Sequence, residues 1–168
     1  MKIINEKAEI VSTNKLVPHP KNPRQGDVGT IIESIKENGW YGTIVAQQGT
    51  NFILAGNHRW QAAEQLGMSE VPVTWVDVDD ETALRILLAD NRTSDLASHD
   101  DNVLVDLLND LSASTTGLAG TGWDEDALDN LLTMLEPNAL KIDDRNAIDN
   151  LQEYLNTVKI VLQISAEL

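Results

Sequence analysis

The period of the apolar positions changes several times along this chain, and each change marks a new element. Weak alternation over residues 8–12 reads as a first strand. Residues 16–27, LVPHPKNPRQGD, hold three prolines and a glycine, which excludes regular structure and predicts a loop. Ile31, Ile32 and Ile35 form the stripe of a short helix over 30–38, with Thr30 as candidate N-cap and Gly39 just past the end. Runs at 43–47 and 51–55 read as two strands of a hairpin joined through Gln48, Gly49 and Thr50. The second run ends at Gly56, and helical spacing begins at once: Trp60, Ala63 and Leu66, with a stop at Gly67. Residues 71–78 alternate around Pro72, which predicts a strand near a sheet edge, because proline has no N–H for a ladder. Residues 79–91 read as a helix with acidic residues in its first turn, where they suit the dipole.

Beyond residue 91 the pattern turns helical. Leu104, Leu107, Leu108 and Leu111 stripe a helix over 101–111, and Leu128, Leu131, Leu132 and Leu135 stripe another over 124–135. A Ser-, Thr- and Gly-rich loop joins them. A third helix over 144–155 and a β-prone run over 158–164 complete the reading. The chain is therefore expected to be α+β: a small mixed sheet with interleaved helices over 8–95, a helical extension over 96–136, and a tail over 137–168.

Charge divides along the same line. Residues 1–92 carry nine Lys and Arg against twelve Asp and Glu, whereas residues 93–168 carry three against fifteen, within a total of −15. Phosphate neutralisation drives non-specific DNA binding, so the acidic second half argues against it; it reads as a solvated face first and as a surface for a basic partner second. There is no cysteine, which removes disulfides, thiol catalysis and thiolate metal sites. No apolar run approaches the ~18 residues of a membrane span, and residues 1–10 are too charged for a signal core, so a cytoplasmic protein is expected.

Three polar clusters sit at joins between elements. The first is His19-Pro20-Lys21-Asn22-Pro23-Arg24-Gln25, whose prolines restrict the loop before anything binds. The second is Gly56-Asn57-His58-Arg59, where a strand turns into a helix and leaves its first amides without partners, a natural anion site. The third is Asp90-Asn91-Arg92, with His99 seven residues on. Each alone reads equally as a loop or cap feature. Asp77, Asp79, Asp80 and Glu81 form an acidic group that fits a helix start better than a metal site.

The order of these segments resembles the ParB/sulfiredoxin superfamily, and within it ParB-like N-terminal domains. The resemblance runs over 13–95 and is carried by Asn22-Pro23-Arg24-Gln25, by Ser34-Ile35 with Asn38-Gly39, by Ala55-Gly56-Asn57-His58-Arg59-Trp60, by Val71-Pro72-Val73 and by Leu88-Ala89-Asp90-Asn91-Arg92. The later segments LLADNRTSDLASHDD and GLAGTGWDEDAL look like ParB-like proteins of phages and mobile elements. The resemblance implies a site for a nucleoside triphosphate such as CTP with Mg²⁺. It places Gly56, Asn57, His58 and Arg59 on the phosphates, Asn22 and Arg24 over them, and Asn91 or Asp90 near the metal or base. It also implies a DNA-associated role and a possible homodimer, although no basic surface or helix-turn-helix is evident here.

Asn57-His58 stands where ParB proteins commonly have Glu-Arg, so a binding module is expected before a hydrolase, phosphotransferase or DNase. Asp27 and Glu33 are nearby in sequence for a base, and no matched motif positions either. Sulfiredoxin has its reactive Cys where Asn57 stands, and that chemistry is excluded.

Overall fold

Alternation of side chains across the strands decides the architecture. The computed structural model describes residues 7–135. Five strands, β1 (Ala8–Ser12), β2 (Val17–Pro18), β3 (Ile44–Gln47), β4 (Phe52–Ala55) and β5 (Glu70–Val76), form one mixed sheet in the order β1-β5-β3-β4-β2. β3 and β4 are the antiparallel hairpin, β1 runs antiparallel to β5, and β3–β5 and β2–β4 are parallel. Five helices accompany the sheet: α1 (Val28–Asn38), α2 (Asn57–Gln65), α3 (Asp80–Asp95), α4 (Asp101–Ser112) and α5 (Glu125–Leu135). The compact unit that holds the sheet runs to Leu131. The expected helix over 144–155 and strand over 158–164 lie outside the described residues.

The period of two sorts the strand residues onto two faces. Ile44, Ala46, Ile53, Val71 and Val73 are fully buried in one cluster with Trp60 and Ala63 of α2. Their neighbours Val45, Leu54 and Val76 point the other way and meet Ala83 and Ile86 of α3. The sheet is thus covered by α2 on one face and α3 on the other, which explains why its strands are apolar on both. Buried polar groups around the sheet find partners in several places. The Trp60 indole N–H donates to the Thr13 carbonyl at 3.0 Å, and the Thr13 hydroxyl donates to that of Met68 at 2.7 Å. The Gln47 amide N–H groups donate to the Val78 carbonyl and the Asp80 carboxylate at 3.0 Å each.

Two local expectations change, and a third holds. α1 begins at Val28, and its cap is Asp27 rather than Thr30. The Asp27 carboxylate accepts from the Gly29 amide at 2.8 Å and from the Thr30 hydroxyl at 2.6 Å, so Thr30 supports the cap from inside the helix. The proline loop contains the two-residue strand β2, whose pairing with β4 lies 35 residues away and leaves no local signal. Pro72 lies on β5, one strand in from the edge strand β1, which agrees with a strand near the sheet edge. β5 pairs with β3 only from Val73 onward, so Pro72 has a strand neighbour on the β1 side alone and no ladder bond toward β3 is lost.

The leucine stripe of α4 also divides: Val105 and Leu108 are buried, while Val103, Leu107 and Leu111 are exposed. The acidic run before α3 is structural. Asp79 caps the helix by accepting from the Thr82 amide at 2.7 Å, and Glu81 pairs with Arg85. Among the described residues no three His, Asp or Glu side chains group as a metal site.

Two outcomes check this arrangement. Ile53→Ala and Leu87→Ala, both at fully buried positions, should each lose about 2–5 kcal/mol in urea unfolding. The caps set an acid limb. Hydrogen bonds from Thr30 and Gly29 to Asp27, and from Thr82 to Asp79, hold both carboxyls below their ordinary value of 3.8. A lowered folded-state pKa adds stability that is complete above that value and fades as pH falls through the lowered one. Replacing both with Asn should make thermal stability less dependent on pH below about 4.

Candidate functional site

Where β4 ends, Gly56 adopts φ 85° and ψ 22°, a left-handed conformation that lets the chain pass from strand to helix without an intervening loop. A β-carbon there would sit 3.5 Å from the Ile44 backbone. The first helical bond runs from the Trp60 amide to the Gly56 carbonyl at 2.9 Å. The amides of Asn57, His58 and Arg59 therefore precede the hydrogen-bonded turns, and no side chain caps them. By contrast, α1, α3 and α4 each begin under an Asp carboxylate. A glycine in that position at α2 leaves the positive end of the helix open.

That end faces a cleft of about 410 Å³. Its walls come from all three polar clusters: Asn22 and Arg24 from the loop before α1; Gly56, Asn57, His58 and Arg59 from the start of α2; and Asp90 and Asn91 from α3. Thr43, Val45, Leu54 and Ile31 supply the rest of the lining together with Ala55 and Ser94. The predicted anion-site residues thus share one cleft, although they come from segments up to 69 positions apart in sequence.

Hydrogen bonds hold the loop over the cleft. The Asn91 side-chain amide donates to Asn22 Oδ1 at 3.1 Å, and the same oxygen accepts from the Arg24 amide at 3.2 Å. Arg24 Nη1 donates to the Asn91 carbonyl at 2.7 Å and to the Asp95 carboxylate at 2.9 Å. At its far end the loop presses Gly26 against the His58 imidazole, where a β-carbon would come within 2.8 Å of the ring. The loop thereby spans from the start of α2 to the last turns of α3.

Arg59 has no carboxylate partner among the described residues. Its guanidinium carbon lies 5.9 Å from the Tyr41 ring centroid, and Nη1 makes a long bond of 3.5 Å to the Thr43 carbonyl. Gly42 also lies against it, with room for the guanidinium because no side chain intervenes. A cation held over an aromatic face with most of its donors uncommitted is suited to receive an anion. Asn57 also lines the cleft, and its Oδ1 is buried with no hydrogen-bond partner among the described residues. An unpaired buried acceptor costs about 1–3 kcal/mol, a cost that a donor or cation entering the cleft would remove.

Several singled-out residues lie elsewhere. His19 is nearly buried, with its ring edge-on to Phe52 at 5.1 Å and Nδ1 accepting from the Lys21 amide at 3.1 Å. Burial, and then the Lys21 charge, push its imidazole below the ordinary 6.5. His99 packs against Trp123 at 6.0 Å. Neither lines the cleft. Asp27 is committed to its cap and Glu33 accepts from the Gly120 amide, so neither neighbour in sequence serves the cleft. Asp90 is the carboxylate that lines it. Asp95, Thr43 and Tyr41 escaped the sequence reading because each acts through tertiary contact and none belongs to a polar cluster.

The chain is similar to known proteins over most of its length. A ParB-like protein of Sulfolobus acidocaldarius is 26% identical over 153 residues, covering 85% of this chain and 76% of the relative. A probable chromosome-partitioning protein ParB of Xylella fastidiosa is 27% identical over 168 residues, and this chain spans about half of it, 53%. The fold matches that of the C-terminally truncated chromosome-partitioning protein ParB from Caulobacter crescentus, solved in complex with CTP-γ-S. The TM-score is 0.65 at 22% identity, covering 92% of this chain and 87% of that one. The family model for the ParB N-terminal domain matches residues 2–92, the stretch that carries the sheet, the Asn22–Arg24 loop and all of the cleft lining but Ser94, and the chain belongs to that family.

Proposed function

We propose that the cleft binds a nucleoside triphosphate, CTP being the first candidate, and that the chain acts as a nucleotide-responsive module in a DNA-associated process. The observation that carries this reading is the convergence of uncapped amides at residues 57–59, the uncommitted Arg59 guanidinium and the Asn22–Arg24 strap on one cleft. The name of the Caulobacter protein's ligand supports the choice of CTP. The names of the partitioning relatives support the DNA-associated setting, and the phage or mobile-element setting rests on the later sequence segments.

The net charge of −15 opposes an anionic ligand at long range. Salt screens exposed charges beyond about 8 Å, so the groups in the cleft decide the outcome. A charge-assisted hydrogen bond contributes about 1.5–3 kcal/mol, against roughly 0.3–1 kcal/mol for the helix dipole. Arg59 and Arg24 are therefore the larger contributors, and the amides fix the position of the bound oxygens.

A divalent ion would lower the ligand's charge. Asp90 and the unpaired Asn57 Oδ1 are hard oxygen donors in the cleft wall, which fits Mg²⁺ held mainly by phosphate oxygens and water with one or two protein ligands. When bound, the ion would neutralise phosphate charge. The protein's own part is to orient the triphosphate with the amides and Arg59 and to cover it with the strap. A second reading, slow hydrolysis, is favoured by one feature, the Asp90 carboxylate in the lining.

Titration calorimetry with CTP, ATP, GTP and UTP, each with Mg²⁺, tests the proposal. CTP should release or absorb heat, and absence of a signal with all four would overturn it. Arg59→Ala should weaken binding by about 10- to 100-fold, the loss of one charge-assisted bond. Gly56→Ala places a β-carbon at φ 85° and should cost about 1–3 kcal/mol of stability as well as binding. Phosphate release that disappears in Asp90→Asn would establish the hydrolytic reading.

A further inference from the structure

Arg24 is held in an unusual way for a residue in the wall of an anion cleft. One nitrogen, Nη1, makes both of its side-chain bonds, to the Asn91 carbonyl at 2.7 Å and to Asp95 Oδ1 at 2.9 Å. The remaining guanidinium N–H groups have no acceptor among the described residues. The side chain is one-third exposed and lines the cleft, while Asp95 is 56% exposed and does not line it. The guanidinium is thus pinned from outside by one corner, with its other donors unused.

We infer that Asp95 is a positioning residue for the cleft: it anchors Arg24 to the end of α3 so that the free edge of the guanidinium is already in place for a phosphate oxygen. This rests on the reading of the cleft as a polyphosphate site. A long, flexible side chain loses rotamer freedom when it engages a ligand, and a partner that fixes it beforehand removes part of that cost. The Asn22–Asn91 bond and the Arg24 amide bond to Asn22 fix the backbone of the same loop, so Asp95 needs to restrain only the side chain.

A competing effect has the opposite sign. Removing a carboxylate near an anion site should tighten binding by relieving repulsion. Asp95 is more than half exposed, so solvent screens that repulsion, whereas the 2.9 Å bond to Arg24 is direct. The anchor dominates.

Calorimetry with Mg²⁺–CTP, and with inorganic triphosphate as a base-free probe, distinguishes the effects. Asp95→Asn should weaken binding by about 3- to 10-fold, the scale of ordering one rotamer-rich side chain. Asp95→Glu should recover most of the affinity, since a carboxylate one methylene longer can still reach Nη1. In an Arg24→Ala background, Asp95→Asn should have no further effect, a non-additivity that a purely structural role would not produce. Equal or tighter binding by Asp95→Asn, or the same loss with and without Arg24, overturns the inference while leaving the nucleotide reading intact. If the unaltered protein binds neither probe, the nucleotide reading fails and takes this inference with it.

Discussion

Three backbone amides without acceptors among the described residues, at Asn57, His58 and Arg59, are the constraint around which the cleft is arranged. They exist because Gly56 turns strand into helix in a single residue and offers no side chain to cap the start. The fold does not hide this end. It brings a proline-stiffened loop and the later part of α3 around it and leaves a cleft. Elsewhere the same protein caps helices readily with Asp27, Asp79 and Asp100, so an open α2 is a local choice of residue and no general feature of its helices.

The strap and α3 form one hydrogen-bonded unit. Asn22 Oδ1 is shared between the Asn91 side chain and the Arg24 amide, and Arg24 reaches both the Asn91 carbonyl and Asp95. A ligand that engages Arg24 must therefore act on the end of α3, from which the chain continues to α4. Val103, Leu107 and Leu111 are exposed on α4 in this state. The connection gives a physical route by which occupancy of the cleft could alter the surface that the helical extension presents, without any need for a contact between ligand and α4.

Asn57 gives the cleft wall a neutral amide. A neutral amide oxygen in the cleft wall can accept a donor or touch a cation, but it brings no charge and no proton-accepting power comparable to a carboxylate. The only carboxylate in the lining, among the described residues, is Asp90 on α3, and no second acid accompanies it. Under the proposed nucleotide reading, such a lining is better suited to holding a polyphosphate than to cleaving it.

Much of this was legible in the residues. Short runs over 43–47 and 51–55, alternation over 71–78, the apolar run into Gly56 and glycines at helix ends pointed to the strands, the helices and the uncapped turn, because those signals depend on neighbours within a few positions. The resemblance in the order of the polar segments singled out Asn22, Arg24, Gly56, Asn57, His58, Arg59, Asp90 and Asn91 together. Only the tertiary structure decided that β2 pairs with β4 and that His19 is a packed ring beside Phe52. It alone also decided that Asp95 reaches Arg24 from 71 positions away. The reason is common to all of these. A contact between distant segments depends on where the whole sheet and its helices place two backbones, and no local period or composition records that distance.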